Sequence, residues 1–263
     1  MEKVPDTKTV PIPEQLELFF EDNPELKDKF DRVKFAISVL GGNQATEQAE
    51  RIGHELLRKW FSVTTGGYNF GTMKAALEGA DKALSEMKDD PQNGEAFSLF
   101  NPVVKGITAE NFDPIEMAVK GTNIKTEVTE GKYDIYLRLG KLIEDSEACI
   151  ILPGDSGTEL EVMANLHFDK KLRTLFGAPN KPIIFVGEAH ISFLRDKFYN
   201  VIMSSEDVYF VSDEVDAVEL TDTLFKKATL IKQGATTAEL EDAERDLSKN
   251  LLRHHGQFIP PPG

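Results

Sequence analysis

The chain has 263 residues, 40% hydrophobic and 29% charged, with a net charge of −15 and a pI near 4.8. That is enough apolar material for a sizeable core and excludes a disordered chain, while the acidity argues against nucleic acid or an anionic membrane as partner. The one cysteine, Cys149 in the apolar run A-C-I-I-L, excludes an internal disulfide and a thiolate metal cluster and reads as a core residue.

In chain order, 1–31 is proline-rich and then amphipathic through Leu16, Leu18, Phe19 and Phe20, an N-terminal extension with one short helix. F-A-I-S-V-L (35–40) predicts a buried strand closed by Gly41 and Gly42, followed by a helix over 46–59. W-F-S-V-T-T (60–65) predicts a strand closed by Gly66 and Gly67, then an alanine-rich helix over 71–87. A-F-S-L-F (96–100) predicts a third strand ending at Asn101-Pro102. The stretch 103–122 reads as irregular, with a short helix at 114–120. A strand at 124–128 and a helix over 133–145 follow, with Tyr136, Leu139 and Leu142 on the helix's buried side and Arg138 on its solvated side. Next come a strand at 148–152, a helix over 157–172, a strand at 182–186, a helix over 190–203 and a strand at 208–211. Two acidic helices, 213–231 and 237–252, and the tail I-P-P-P-G end the chain.

Short apolar runs alternating with helical patterns mean βαβ units and a parallel sheet buried on both faces. The expected fold is a doubly wound, Rossmann-like α/β sheet with helices on both faces, occupying 32–233, with a short N-terminal extension at 1–31 and a C-terminal helix and tail at 234–263. The start of the chain shows no apolar signal core, and no apolar run reaches bilayer length, so the expectation is a cytoplasmic protein. Ligands of such sheets sit beyond the carboxyl ends of the strands, which directs attention to the loops after 40, 65, 100 and 152.

Three of these places are glycine-rich: G-G-N-Q-A-T (41–46), T-T-G-G-Y-N-F-G-T (64–72) and L-P-G-D-S-G-T (152–158). Glycine allows sharp turns and close backbone approach, and each loop opens a helix whose free N–H groups suit an anion. Together they suggest one phosphate-and-sugar pocket, lined by Gly41, Gly42, Thr65, Gly66, Gly67, Gly71, Gly154, Asp155, Ser156, Gly157 and Thr158. Glycine turns also serve ordinary α/β connections. Neither a P-loop nor a G-x-G-x-x-G fingerprint is present. The histidines show no metal-ligand spacing, so neither a metal nor a cofactor is expected.

T-G-G-Y-N-F-G-T-M-K-A-A together with P-G-D-S-G-T-E-L-E resembles the Lonely Guy family of cytokinin-riboside 5′-monophosphate phosphoribohydrolases, often mislabelled lysine decarboxylases. The resemblance covers about 33–220. The family's arginine, fifteen residues before the motif proline, falls on Arg138, and its motif glutamate on Glu161. It implies hydrolysis of the N-glycosidic bond of a nucleoside 5′-monophosphate to free base and ribose 5-phosphate, in a homodimer. Glu161 would steady the cationic ribose and orient water, Arg138 would hold phosphate or sugar, and Gly157, Thr158 and the 66–67 turn would hold the phosphate. Two positions depart: Asp155 replaces the second motif glycine, and Leu139 replaces the lysine after the arginine. A carboxylate about 5 Å from a phosphate charge costs roughly 3 kcal/mol at an effective dielectric of about 20, unless Asp155 turns away or caps the helix.

S-G-T-E and T-E-L-E are also capping-box patterns, a structural reading that needs no substrate. The same fold serves carriers of nucleotide-like ligands, molybdenum-cofactor carriers included; the two departures favour such a binding protein as the alternative, whereas Arg138 together with Glu161 favours the hydrolase, which is the main expectation.

Overall fold

The computed structural model describes residues 19–111, 118–176, 179–187, 207–236, 238–240 and 242. Helix α1 (Pro24–Lys34) leads to strand β1 (Ile37–Leu40), α2 (Thr46–Arg58), β2 (Val63–Thr65), α3 (Gly71–Asp89), the short α4 (Gly94–Leu99) and β3 (Val104–Ala109). Then follow β4 (Ile124–Thr129), α5 (Asp134–Glu144), β5 (Ala148–Ile151), α6 (Ser156–Met163), a π-helical turn (Ala164–Asp169), α7 (Lys170–Phe176), β6 (Ile183–Val186), β7 (Val208–Val211) and α8 (Glu214–Lys232). The strands form one sheet in the order β4-β3-β2-β1-β5-β6-β7, with every neighbouring pair parallel. The fold is therefore the doubly wound Rossmann-like α/β class.

Strand alternation divides the core into two layers. Ile37, Val39, Ile150, Ile184 and Val186 pack with α2, α3 and α8, whereas Leu40, Cys149, Ile151 and Phe185 pack with Leu142 of α5 and Val162 of α6. Cys149 is fully buried, and burial pushes its thiol up to about 12, as a core residue requires. Helices α2 and α3 meet backbone to backbone: a methyl on Gly53 would overlap the Ala76 carbonyl oxygen, and one on Gly79 that of Glu50. Helix α1 closes one edge of this layer, with Leu26 buried and Arg32 ion-paired to Asp222 between the Phe61 and Phe225 rings.

Several sequence expectations are corrected. The stretch 96–100 is not a strand; it falls in α4, whose Ala96 is buried and whose Phe97 lies 4.9 Å from Trp60, so its apolar residues satisfy a one-sided helix. The third strand is β3, inside the stretch read as irregular. Lys105 and Gly106 interrupt its apolar pattern because each has a tertiary partner: Lys105 reaches Asp145 at 2.6 Å, and Gly106 lies against the Gly67 backbone. Strand β2 begins only at Val63, because the chain turns at Trp60 with φ 69°. On α5 the buried stripe is Asp134, Arg138 and Leu142; Leu142 is buried as expected, whereas Tyr136 is 70% exposed and Arg138 is buried, the reverse of the expectation for those two. The helix expected over 157–172 is broken by the π turn, where Asn165 donates to the Glu161 carbonyl at 2.8 Å and accepts from the buried Lys181 at 3.2 Å. The helix expected over 190–203, the core of the one at 114–120 and most of the one at 237–252 lie outside the described residues.

Candidate functional site

The chain builds the sheet outward from β1 to β4 and then returns to β1's other side with β5. Connections therefore depart in opposite directions from β1 and β5, leaving a crevice beyond their carboxyl ends. The 41–43 loop and the 152–155 loop face each other there, joined by a Gly42 N–H to Pro153 carbonyl bond of 3.0 Å. Thr72, at the start of α3, donates to the Gly42 carbonyl from its N–H at 3.0 Å and its hydroxyl at 2.7 Å. Glycine is required for close approach at two places. A methyl on Gly154 would overlap the Thr158 hydroxyl, and one on Gly66 would overlap Arg138 and Met73. The three glycine loops thus form one cluster, while the loop after residue 100 does not join it. Asn101 precedes β3 and lies at the opposite, amino edge of the sheet.

Arg138 is 8% exposed and braced rather than free. Its Nε donates to the Ile107 carbonyl at 2.9 Å, its Nη2 to the Gly66 carbonyl at 3.2 Å, and its guanidinium lies 5.0 Å from the Tyr68 ring centroid. A planar donor fork is suited to tying β3, the 66–70 loop and α5 together at the cleft floor.

Asp155 is the N-cap of α6 and accepts the Gly157 N–H at 3.1 Å. The helix therefore starts at Ser156, and neither S-G-T-E nor T-E-L-E acts as its capping box. Ser156 and Gly157 are exposed, and Thr158 is buried. Two other glycine-loop donors are also taken: Gly42 by Pro153 and Gly66 by the Thr65 hydroxyl at 2.6 Å. The phosphate cradle expected from sequence is thus partly occupied by the protein's own acceptors.

Glu161 sits one turn into α6, enclosed by protein yet with part of its side chain open to solvent. Burial raises its carboxyl to about 7; Arg138 opposes the rise and Asp155 adds to it. The two residues expected to do chemistry are thus electrostatically coupled, without a direct ion pair among the described contacts. Asn43 and Met73 belong to the site too: Asn43 fills the space beside Gly71, and Met73 lies against Gly66 and Arg138. Their positions inside the glycine motifs were the available signal. Ile107 carried none, because it contributes only a backbone carbonyl.

The sheet defines a doubly wound α/β protein with a crevice at the strand-order reversal. Among solved structures the chain is similar to the molybdenum cofactor binding protein from the phototrophic bacterium Rippkaea orientalis, with 22% identity, TM-score 0.52, and coverage of 73% of this chain and 97% of that one. It is also similar to the Moco carrier protein from Chlamydomonas reinhardtii, with 19% identity, TM-score 0.48, and coverage of 74% and 99%. At these identities the likeness shows the fold. No protein-family model matches the chain, and no curated protein does. Among the described residues, no helix is long and apolar enough to cross a membrane, and no three His, Cys, Asp or Glu side chains gather as a metal site.

Proposed function

We propose that the chain binds a nucleotide-like small molecule in the switch-point cleft and holds or delivers it without breaking it. The observation that carries this reading is the commitment of the site's donors. Arg138 gives its Nε and Nη2 to two backbone carbonyls, and the Gly42, Gly66 and Gly157 N–H groups go to protein acceptors. With these donors engaged the site offers a weaker grip on a phosphate than a phosphoribohydrolase needs to hold its substrate in reacting geometry. A carboxyl titrating near 7 is also half neutral at physiological pH, when it would be needed as an anion beneath a cationic ribose. The molybdenum cofactor named for the similar structure from Rippkaea orientalis is a candidate cargo.

A second reading keeps the phosphoribohydrolase, and one observation favours it: an enclosed glutamate with a pKa near 7 beside an arginine is the profile of a general acid–base. Both readings are accommodated by a homodimer. Tyr136, Leu137 and Leu160 are 70%, 53% and 55% exposed on the outer sides of the helices that carry Arg138 and Glu161, which supports self-association beside the cleft.

The test is to incubate the full chain with nucleoside 5′-monophosphates, isopentenyl-AMP included, and with molybdenum cofactor, reading melting temperature and, for the nucleotides, free base by chromatography. Stabilisation without base release is the expected result. Base release that Glu161→Gln abolishes would replace it with the hydrolase.

A further inference from the structure

Phe70 ends the 66–70 loop and stands immediately before α3. It belongs to neither apolar layer of the core and is 41% exposed, whereas Tyr68 two residues earlier is 2% exposed. The two rings are parallel, with 5° between their planes and 6.0 Å between centroids. Tyr68 is itself immobilised: its hydroxyl accepts the Ala109 N–H at 3.1 Å, Arg138 lies over its ring, and its backbone bridges Ala118. An isolated exposed apolar side chain is ordinary on a protein surface. A phenyl ring held flat on a fixed tyrosine, in the loop that supplies Gly66 and Gly67 to the cleft, is a prepared stacking surface.

Resting on the binding reading above, we infer that the ligand's planar heterocycle stacks on the open face of Phe70, and that this stack supplies the main recognition of the ligand. Several donors that would grip a phosphate are already engaged within the protein, which leaves the flat ring as the part of a nucleotide-like molecule with an unfilled partner. Stacking tolerates many heterocycles because each has a π face. The site is therefore selective for flat rings as a class, larger bicyclic ones above pyrimidines, and does not depend on one hydrogen-bonding edge.

Calorimetric titration of the full-length chain with AMP, GMP, CMP and ribose 5-phosphate tests this. Phe70→Ala is expected to weaken AMP and GMP about tenfold or more, the scale of one base–aromatic stack, and to leave ribose 5-phosphate unchanged. Phe70→Trp should retain AMP, with its new indole fluorescence quenched on binding, and Phe70→Leu should behave like Phe70→Ala. Equal AMP affinity in wild type and Phe70→Ala would overturn the stack while leaving the binding reading intact. Parallel weakening of AMP and ribose 5-phosphate, or full rescue by leucine, would also overturn it, by showing a packing role. A wild-type chain that binds none of the four probes would overturn a class-wide stack, and the binding reading would then be decided by the molybdenum-cofactor arm of the melting assay.

Discussion

Replacing Glu161 by glutamine is expected to stabilise the fold at alkaline pH and to do little in acid. Burial lifts this carboxyl from an ordinary 4.5 to about 7, so between those values the folded chain keeps a proton that the unfolded chain has released. Stability therefore falls as pH rises through this window, and the whole cost is present above about 7. At about 1.4 kcal/mol per unit the full cost would be about 3–4 kcal/mol, and the side chain's partial contact with solvent brings it to about 2–3 kcal/mol. Glutamine keeps the shape and cannot ionise, so Glu161→Gln should gain about 2–3 kcal/mol at pH 8 and almost nothing at pH 4.5. Urea unfolding of both chains, followed by circular dichroism at the two pH values, measures the difference. A gain equal at both pH values, or a loss at pH 8, would refute the claim that the native cleft holds this carboxylate at a cost.

Gly53→Ala and Gly79→Ala should each destabilise the chain by about 1–3 kcal/mol through overpacking, although alanine is the better helix former by about 1 kcal/mol. Thermal melts that leave either variant as stable as the parent would show that α2 and α3 can separate without penalty. On the proposed self-association beside the cleft, Leu137→Glu combined with Tyr136→Glu is expected to lower the solution mass, read by light scattering on a sizing column. An unchanged mass would place any association elsewhere.

The sheet was legible where burial is complete. The runs 37–40, 148–151 and 183–186 carry apolar residues at nearly every position because both faces are covered, and such runs have few competing explanations. Reading failed where polar residues are buried by tertiary partners. Lys105 in β3 answers to Asp145, and Arg138 on α5 to carbonyls far away in sequence, so local periodicity assigned the first to a loop and the second to solvent. A-F-S-L-F misled for the opposite reason: its aromatics pack on Trp60 and Phe30 from one side of a short helix. The three glycine motifs do lie together beyond the strand ends, because turns and close approaches leave a mark on composition. Which glycine N–H groups remain open to a ligand leaves no such mark, since it depends on whether Pro153, the Thr65 hydroxyl and Asp155 reach them first.

Asp155 is where the two functional readings separate, and Asp155→Gly separates them experimentally. Glycine is a serviceable N-cap, so the substitution should lower stability by only a few tenths of a kcal/mol. It frees the Gly157 N–H and removes a negative charge from the positive end of α6. The full Coulomb estimate of roughly 3 kcal/mol applies to a partly shielded site. Asp155 is exposed, and screening by water and salt brings the expected gain in ribose 5-phosphate affinity to about tenfold. The same change removes a charge that raises Glu161, so Glu161 should titrate lower and the pH window of instability should narrow from its upper side. Calorimetry and the urea assay read the two effects independently. If neither moves, Asp155 does not close the helix end, and the weakness of the phosphate grip must lie in the braced Arg138 instead. If both move and the variant also begins to release base from AMP, a single carboxylate is what holds this cleft to binding. The arginine and glutamate beneath it would then be a working pair kept from turnover.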